Sequence, residues 1–376
     1  MHLTLIISSL SSGGAERVLS ELANYWVSQG HQVTILTLAS PDIKPFYPIE
    51  PKINLMQLDQ TQPESSLFTR LRNILRRVFY LRKAICTLNP DVVISFVEVM
   101  NITTLIATIG LKIPILVSER IDPNFHKIHQ LYSWLRFKIY PCASRVIVQT
   151  GGAAKYFSEK FKVLIAIIPN PVRIPKLQKV QYSVQITKIV TTGRLDPQKD
   201  HKTLIRAFYH LLQHHPYLTL TIYGEGRELA NLQELITHLN LEDKVYFPGV
   251  VKNIDDVLLN ADLFIFPSLY EGFPNALCEA MAIGLPVIAS NCSGNIDIVQ
   301  DGINGRLFPV GNIEILTEIA LEIINDKIQA ETIATNAKNI CEDLEPSCIF
   351  SMWDKCLTGV LARTPDEVVI EQQKRS

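Results

Sequence analysis

Residues 264–290 read FIFPSLYEGFPNALCEAMAIGLPVIAS, and this stretch predicts a strand, a loop, a helix and a second strand in succession. The opening apolar run stops at Pro267, which cannot donate a hydrogen bond to a sheet. Asn275 is a residue type that caps helix N-termini, and Gly284 is the type that most often ends a helix. Another strand-forming run begins at Pro286. This order of elements is the repeating unit of a doubly wound parallel sheet.

The same alternation of short β-branched runs and helical segments continues on both sides of this stretch. Strands are predicted at Leu3–Ser8, Gln32–Leu38, Val92–Phe96, Ile115–Ser118, Val146–Gln149, Ile189–Thr191, Leu218–Tyr223, Val245–Phe247, Leu263–Pro267 and Pro286–Ala289. The pattern stops at Pro169-Asn170-Pro171, and the polar stretch that follows predicts a linker. We therefore expect an α/β fold of two Rossmann-like, doubly wound domains facing each other across a cleft.

The linker divides the chain into a first domain of residues 1–172 and a second domain of residues 173–351. A C-terminal helix at about 352–376 is a candidate to cross back to the first domain. In open parallel sheets, ligands bind beyond the carboxyl ends of the strands. The loops that follow the predicted strands are therefore where functional residues are expected.

Composition excludes several classes of protein. Hydrophobic residues make up 47% of the 376 residues, which is enough for two large cores. The formal net charge of −1 argues against a protein that binds nucleic acid through bulk electrostatics. The seven cysteines are scattered, with no C-x-x-C pair, which favours reduced thiols and a cytoplasmic location. No cluster of metal-ligating residues stands out, so neither a metal nor another cofactor is expected.

Two glutamates flank the start of the helix predicted after Pro267. The free N–H groups around Ala276 and Leu277 would suit a diphosphate, because a helix N-terminus attracts anions. Glu279, one turn into the helix, could accept hydrogen bonds from ribose hydroxyls, and Glu271 lies nearer the place of a sugar. The alternative is an ordinary βα loop with one solvated glutamate and one favoured by the helix dipole.

A second candidate site follows the strand at Ile189–Thr191. Gly193 leads into a loop in which Arg194 could donate a fork of hydrogen bonds to a phosphate, and Lys199 adds a second cation. Two cations five residues apart are also common on ordinary surfaces. Further on, Gly224 begins an incomplete dinucleotide fingerprint, which alone is weak support for NAD.

These motifs together closely resemble glycosyltransferase family 4. The resemblance rests on Glu271 and Glu279 with Gly-Phe-Pro between them, and on the Gly-Arg-Leu and lysine element upstream. It implies a GT-B fold, a nucleotide-sugar substrate bound by the second domain and an acceptor bound by the first. It also implies transfer of a hexosyl or N-acetylhexosaminyl group with retention of anomeric configuration, with a UDP-sugar the favoured donor.

The resemblance also implies a role for each matching residue. Arg194 and Lys199 would neutralise the leaving diphosphate, Glu279 would bind the ribose and Glu271 would contact the donor sugar. The remaining donor-side residues implied are Gly13, Gly14, Gly193, Gly224, Val250, Phe273, Pro274, Asn275, Ala276 and Leu277. Gly13 and Gly14 lie in a Gly-Gly-Ala-Glu-Arg string that also resembles the acceptor-side loop of family 4 enzymes that build polysaccharides and lipid-linked glycans. A structural double glycine is the alternative for that turn.

One stretch departs from the family pattern. Many members carry a histidine after the fourth strand, whereas Arg120 stands at that place here. Glu119, Arg120 and Asp122 are candidates for contact with the acceptor or the sugar, and a plain salt-bridged loop is the alternative.

The segment Arg70–Lys83 is strongly polarised. Leu71, Ile74, Leu75, Val78 and Phe79 share one helical face, and six cations surround it. Such a helix could lie on an anionic membrane beside a lipid-linked acceptor, at the inner face of the cell membrane. The alternative is a helix that packs on the first domain with a solvated basic side.

Two other functions remain open at this point. A nucleotide-sugar epimerase of the same fold would convert the donor with no acceptor present. A non-catalytic subunit would bind a nucleotide-sugar for a partner enzyme, although the complete set of Arg194, Lys199, Glu271 and Glu279 argues against it.

Overall fold

The computed structural model describes residues 1–60, 67–125, 128–180, 185–251 and 253–362, with the backbone alone for residues 67–71. The chain forms two compact units. The first contains Met1–Asn170 and the described chain from Ser347 onward, and the second contains Pro171–Pro346.

The first unit is built on a seven-stranded parallel sheet with the order β3-β2-β1-β4-β5-β6-β7. Its strands are β1 (His2–Ile7), β2 (Gln32–Thr37), β3 (Asn54–Gln57), β4 (Val92–Phe96), β5 (Ile115–Ser118), β6 (Arg145–Val148) and β7 (Ile165–Ile167). Its helices are α1 (Gly14–Ser28), α2 (Leu67–Leu88), α3 (Glu98–Ala107), α4 (Gln130–Ile139) and α5 (Gly151–Lys160). A 3₁₀ turn at Tyr140–Cys142 joins α4 to β6.

The second unit is built on a six-stranded parallel sheet with the order β10-β9-β8-β11-β12-β13. Its strands are β8 (Lys188–Thr192), β9 (Thr219–Tyr223), β10 (Val245–Gly249), β11 (Leu263–Phe266), β12 (Val287–Ser290) and β13 (Arg306–Phe308). Its helices are α6 (His201–His214), α7 (Leu229–His238), α8 (Ile254–Leu259), α9 (Asn275–Ile283), α10 (Ile313–Asn325), α11 (Lys327–Ala337) and α12 (Ile340–Asp343). A 3₁₀ turn at Pro197–Lys199 precedes α6.

The predicted pair of Rossmann-like domains is confirmed. Val92–Phe96 and Ile115–Ser118 are strands at the predicted bounds, and the other predicted strands are present to within two residues at either end. Strands β3, β7 and β13 were not predicted. They lie at sheet edges and keep partly exposed residues, so they lack the continuous apolar run of the central strands.

A C-terminal helix, α13 (Pro346–Ala362), packs within the first unit. Trp353 is fully buried, with its ring 6.0 Å from that of Phe96 and 6.2 Å from that of Trp26. The carboxylate of Asp354 accepts hydrogen bonds from Tyr25 Oη at 2.6 Å and from Trp26 Nε1 at 2.8 Å. An aromatic contact and a charge-assisted pair of hydrogen bonds therefore fix this helix on α1.

The strand order places a topological switch point in each sheet. The chain runs outward in opposite directions from β1 and β4 in the first unit, and from β8 and β11 in the second. The two loops that leave such a pair of strands diverge to opposite faces of the sheet, which opens a crevice at their carboxyl ends. Most of the predicted donor-site residues follow β8 or β11.

Candidate active site

The loops after β8 and β11 are fastened to each other at the switch point of the second sheet. Leu269 N donates to Gln198 O at 2.8 Å, and Gln198 Nε2 donates to Tyr270 O at 2.8 Å. Gln198 thus ties the 3₁₀ turn that carries Lys199 to the loop that carries Glu271. No motif in the sequence singled out this glutamine.

Lys199 and Glu271, 72 residues apart in the chain, meet in this crevice. Lys199 Nζ lies 2.6 Å from Glu271 Oε1, and the two side chains are 14% and 7% exposed. The ammonium also lies 4.6 Å from the centroid of the buried Phe266 ring. Because water is largely excluded, the attraction between these charges is stronger than on an open surface. The sequence named both residues, and the structure brings them together.

Backbone segments approach very closely around this pair, which requires glycine at two positions. A Cβ on Gly224 would lie 1.9 Å from Gly193 O, and one on Gly294 would lie 2.8 Å from Glu271 O. Gly193 N donates to Tyr223 O at 2.9 Å. These contacts seat the loops after β8, β9 and β12 against one another and fix the backbone that carries Glu271. Gly294 was not among the predicted site residues.

Helix α9 begins beside Glu271, as predicted, but its cap differs from the prediction. Pro274 is the N-cap and Asn275 is the first helical residue, so the expectation that Asn275 caps the helix is wrong. Asn275 N instead donates to Phe273 O at 3.0 Å, which shows a tight turn before the helix. The amides of Ala276 and Leu277 lie in the first turn, where N–H groups have no intrahelical acceptor. Gly284 ends the helix in the left-handed conformation, as predicted.

The other predicted donor residues occupy more open positions. Arg194 is 72% exposed, and its Nη1 lies 3.4 Å from Asp196 Oδ2. Val250 is 63% exposed, and Glu279 is partly buried in the second turn of α9. The structure therefore joins Lys199 to Glu271, and it pairs Arg194 with a different carboxylate.

A buried histidine lies immediately behind Lys199. His201 is 3% exposed at the start of α6, whose N-cap is Asp200. Burial, and next the positive charge of Lys199, lower the pKa of His201 to about 4. The imidazole is therefore neutral at pH 7 and adds no positive charge beside Lys199. Sequence reasoning did not identify His201, because a histidine in a polar stretch resembles any surface histidine.

Two family models match the chain one after the other. Residues 12–174 match the model described as Glycosyltransferase Family 4, and residues 178–340 match the model described as Glycosyl transferases group 1. The chain belongs to glycosyltransferase family 4. The two matches meet close to the boundary between the two compact units.

Curated relatives are also named as glycosyltransferases. The chain is 29% identical over 365 residues to GalNAc-alpha-(1->4)-GalNAc-alpha-(1->3)-diNAcBac-PP-undecaprenol alpha-1,4-N-acetyl-D-galactosaminyltransferase of Campylobacter jejuni, covering 96% of this chain and 99% of that one. It is 27% identical over 226 residues to UDP-Gal:alpha-D-GlcNAc-diphosphoundecaprenol alpha-1,3-galactosyltransferase of Escherichia coli, covering 56% of this chain and 58% of that one.

A solved structure supports the fold. Sucrose-phosphate synthase from Thermosynechococcus elongatus aligns with a TM-score of 0.85 and 18% identity, over 96% of this chain and 100% of that one. The chain is thus a glycosyltransferase of GT-B fold, as the resemblance predicted.

In the first unit of this family 4 enzyme, the double-glycine turn lies against a carboxylate of its own chain. Gly13 is the N-cap of α1, and a Cβ on it would lie 2.1 Å from Glu16 Oε2. Ser11 Oγ donates to Glu16 Oε1 at 3.0 Å. Glu16 therefore already occupies part of the helix N-terminus beside Gly13 and Gly14.

The candidates after β5 are buried rather than displayed on a loop. Glu119 accepts hydrogen bonds from Tyr140 Oη and from Asn101 Nδ2, the latter at 3.3 Å, and Arg136 Nη1 lies 4.0 Å from its second oxygen. Burial raises the pKa of Glu119 to about 7, although the positive charge of Arg136 opposes the change. A direct contact between Glu119 and a sugar would require this network to open.

Arg120 and Asp122 are also enclosed. The Arg120 guanidinium lies 4.6 Å from the centroid of Phe96 and 5.8 Å from that of Trp353, and its Nη1 donates to Asn170 Oδ1 at 2.7 Å. Burial lowers the pKa of Arg120 to about 9. Asp122 accepts a hydrogen bond from the backbone N–H of Asn124 at 2.8 Å. The acceptor roles of Glu119, Arg120 and Asp122 stay predictions.

The basic segment Arg70–Lys83 lies within α2, and part of its apolar face is exposed. Leu75 is 62% and Phe79 is 63% exposed, whereas Leu81 and Ile85 are fully buried in the core of the unit. The side chains of residues 70 and 71 lie outside the described residues. The helix therefore packs through the face that holds Val78, Leu81 and Ile85, which leaves Leu75 and Phe79 at the surface.

The described part of the chain has no group of three His, Cys, Asp or Glu side chains placed to hold a metal ion. Within the same residues, no helix has the length and apolar character needed to cross a bilayer.

Proposed function

We propose that this glycosyltransferase moves a hexosyl or N-acetylhexosaminyl group from a nucleotide-diphosphate sugar, with UDP-sugars favoured, to a lipid-linked glycan. The observation that carries the proposal is the Lys199–Glu271 pair at the switch point of β8 and β11, beside the N-terminus of α9. A cation, a carboxylate and free helix amides in one crevice match the parts of such a donor.

The diphosphate is assigned to Lys199 and the first amides of α9. The departing nucleotide diphosphate gains negative charge as the glycosidic bond breaks, and fixed donors aimed at that charge stabilise the transition state. Arg194 is solvent-facing and paired with Asp196, so it would have to leave that carboxylate to add a second cation. No metal ion is needed in this scheme.

The two glutamates are assigned to the sugar and the ribose. Glu271 Oε1 accepts a hydrogen bond from Lys199 Nζ, which leaves the second carboxylate oxygen of Glu271 to accept one from a sugar hydroxyl. Glu279, one turn into α9, would accept from the ribose hydroxyls. The rigid backbone from Phe273 to Leu277 would orient the sugar between them.

Transfer is proposed to retain the anomeric configuration. The acceptor oxygen forms its bond to the anomeric carbon on the face that the diphosphate leaves, and the proton of the acceptor hydroxyl passes to the departing phosphate oxygen. Glu271 is engaged with Lys199, so it orients the sugar in this scheme rather than forming a bond to it. Excluding water at this step limits hydrolysis of the donor.

The names of two relatives support a lipid-linked acceptor, because both names include an undecaprenol-linked glycan. One of these relatives matches this chain over nearly its full length. One of those names also includes UDP-Gal, in line with a UDP-sugar donor. Such an acceptor would place the enzyme at the cytoplasmic face of the membrane, with Arg70–Lys83 as one contact.

The test is an assay of purified protein with UDP-, GDP- and ADP-sugars, with and without membrane extract that supplies lipid-linked acceptors. We expect transfer from a UDP-sugar only when acceptor is present, and NMR of the product should show the donor's anomeric configuration. Conversion of the donor without acceptor would indicate an epimerase instead. An inverted product, or no transfer with any donor, would overturn the proposal.

A further inference from the structure

Helix α4 is apolar on two sides. One packs against the core of the first unit, and the other is largely exposed, although its Phe137 ring lies 5.9 Å from that of Phe161. Tyr132, Leu135 and Ile139 pack against the core of the first unit. On the other side Leu131, Trp134 and Phe137 are 42%, 58% and 55% exposed. These three residues recur every third position, so with Lys138 they form one outward surface, called here the α4 face.

Other helices of the molecule are amphipathic in the ordinary way. The outward positions of α6 include Lys202, Arg206 and His210, while Leu204 and Phe208 face the core. A surface helix normally shows water its polar side. The contiguous aromatic surface on α4 is therefore a candidate site of interaction.

The part of the chain that carries the α4 face is rich in positive charge. Residues 67–162 contain fifteen lysines and arginines and five aspartates and glutamates, whereas the whole chain has a net charge of −1. Three of those five acids, Glu98, Glu119 and Asp122, are buried, as are Arg136 and Arg145 among the cations. Lys138 Nζ lies 5.9 Å from the Phe137 ring, and Lys160 Nζ lies 3.7 Å from the Tyr156 ring. Exposed aromatic rings beside lysines are typical of side chains that sit among phospholipid head groups.

We propose that the α4 face docks onto an anionic phospholipid bilayer, with Trp134 and Phe137 inserted among the head groups and Lys138 and Lys160 at the phosphates. The choice of a bilayer rests on the proposed function, because a lipid-linked acceptor must be reached at a membrane. Charge complementarity selects the anionic lipid, and the paired aromatic rings supply the apolar contact.

The α4 face extends the membrane contact beyond the basic segment Arg70–Lys83. Helices α2 and α4 both pack on α3, which places them on the same side of the sheet. The exposed Leu75 and Phe79 on α2 therefore belong to the same helical layer as Trp134 and Phe137. A second copy of the chain is a poor occupant, because a two-fold contact would oppose lysine-rich surfaces.

The chain carries its own reporter for this contact. It has three tryptophans, of which Trp26 and Trp353 are fully buried and Trp134 is 58% exposed. Fluorescence of the full chain would be titrated with vesicles of phosphatidylcholine containing phosphatidylglycerol, with bromine on the lipid chains as a quencher. We expect a blue shift and quenching with anionic vesicles, and neither with phosphatidylcholine alone. Unchanged Trp134 emission on vesicles that do bind the protein would overturn the proposal.

Paired variants locate the contact by vesicle co-sedimentation. Trp134→Ser with Phe137→Ser should weaken binding by about tenfold or more, since each ring loses its apolar contact with the lipid. The matched control is Ile328→Ser with Lys327→Ala on α11, where Ile328 is 78% exposed; it should bind like the parent. Equal loss in both, or no loss in the α4 variant, would contradict the assignment.

These outcomes are separable from failure of the proposed function. Vesicles without any acceptor or donor test the docking alone, so binding is read whether or not the chain transfers a sugar. If light scattering shows that anionic vesicles fail to bind while the chain self-associates through Trp134, a second copy is the occupant and the bilayer proposal is wrong. If the α4 variant still transfers to a detergent-solubilised acceptor but not to one in vesicles, docking serves the reaction.

Discussion

The carboxyl edges of the two sheets place their charged side chains in different surroundings. At the β8–β11 edge, Lys199 and Glu271 form a 2.6 Å ion pair, held by backbone segments that only glycine can accommodate. At the β4–β5 edge, Glu119 accepts a hydrogen bond from Tyr140 and its pKa is raised to about 7, and Arg120 lies over aromatic rings.

The difference separates an edge where two charged groups form an ion pair from an edge where burial shifts the pKa values of Glu119 and Arg120 towards their neutral forms. The second unit places an ammonium group beside a carboxylate, which is what recognition of a charged, hydroxylated donor requires. In the first unit burial favours the neutral form of Glu119, so that edge presents less negative charge to a ligand. Substitutions at the two edges test whether this contrast is functional.

Lys199→Ala should lower the rate of sugar transfer by about 100- to 1,000-fold, because it removes a fixed donor from the leaving diphosphate. Steady-state transfer with the preferred donor measures this. Lys202→Ala is the control, since that lysine pairs with Glu228 on the surface. A Lys199→Ala enzyme with the parent rate would show that the β8–β11 edge is not the reactive one.

Gly224→Ala should destabilise the second unit by about 3 kcal/mol, because the new methyl would overlap the carbonyl of Gly193. Thermal unfolding should show a fall of several degrees, with weaker donor binding. Gly152→Ala in α5 is the matched control, since a Cβ there meets no atom within 4 Å. Similar melting of the two variants would mean that the close approach is not rigid.

Glu119→Gln should remove a pH dependence from the stability of the first unit. The pKa of Glu119 is raised from 4.5 to about 7, so the folded chain holds this proton after the unfolded chain has lost it. Its contribution is complete below pH 4.5 and is lost as pH rises through about 7, with a size on the order of 3 kcal/mol.

Urea unfolding of the parent between pH 5 and pH 8 measures that slope. In Glu119→Gln the slope should flatten, and in the control Glu159→Gln, at an exposed position of α5, it should persist. If the parent and Glu119→Gln have parallel pH profiles, Glu119 is charged in the folded chain and the contrast between the two edges fails.

Asp354→Ala should lower the stability of the first unit by about 2 kcal/mol, because Tyr25 and Trp26 lose a charged acceptor. Lys355→Ala, one residue further on and exposed, is the control. Near-UV circular dichroism would show whether the ring contact of Trp353 with Phe96 loosens. An unchanged spectrum would mean that Arg120 keeps its aromatic support without this anchor.

Sequence reasoning reached the central strands, the presence and end of α9 and the residues of the Lys199–Glu271 pair, because each is encoded locally. An apolar run, a glycine stop and a recognisable motif are all contained within a few neighbours. The contact between the two side chains was not predicted; the resemblance implied only that both residues take part in donor binding. Their hydrogen bond joins residues 72 positions apart, so no local pattern encodes it.

The burial of Glu119 could not be predicted in the same way. The string Ser-Glu-Arg-Ile-Asp is polar and resembles a surface loop, and its partners Asn101, Arg136 and Tyr140 come from three other elements. The cap of α9 was wrong for a related reason. Asparagine is the commoner cap by type, but the turn at Phe273 and Pro274 moves the helix start by one residue.

The position of α13 imposes an order on biosynthesis. Trp353 closes the aromatic cluster formed with Trp26 and Phe96, yet the ribosome makes it after the whole of residues 171–346. Domains generally fold as units during synthesis, at about 5–20 residues per second, so the nascent first unit waits on the order of ten seconds with that cluster uncovered. The unit that is translated first is therefore the unit that is completed last, and a chaperone acting on this chain would find its exposed surface there.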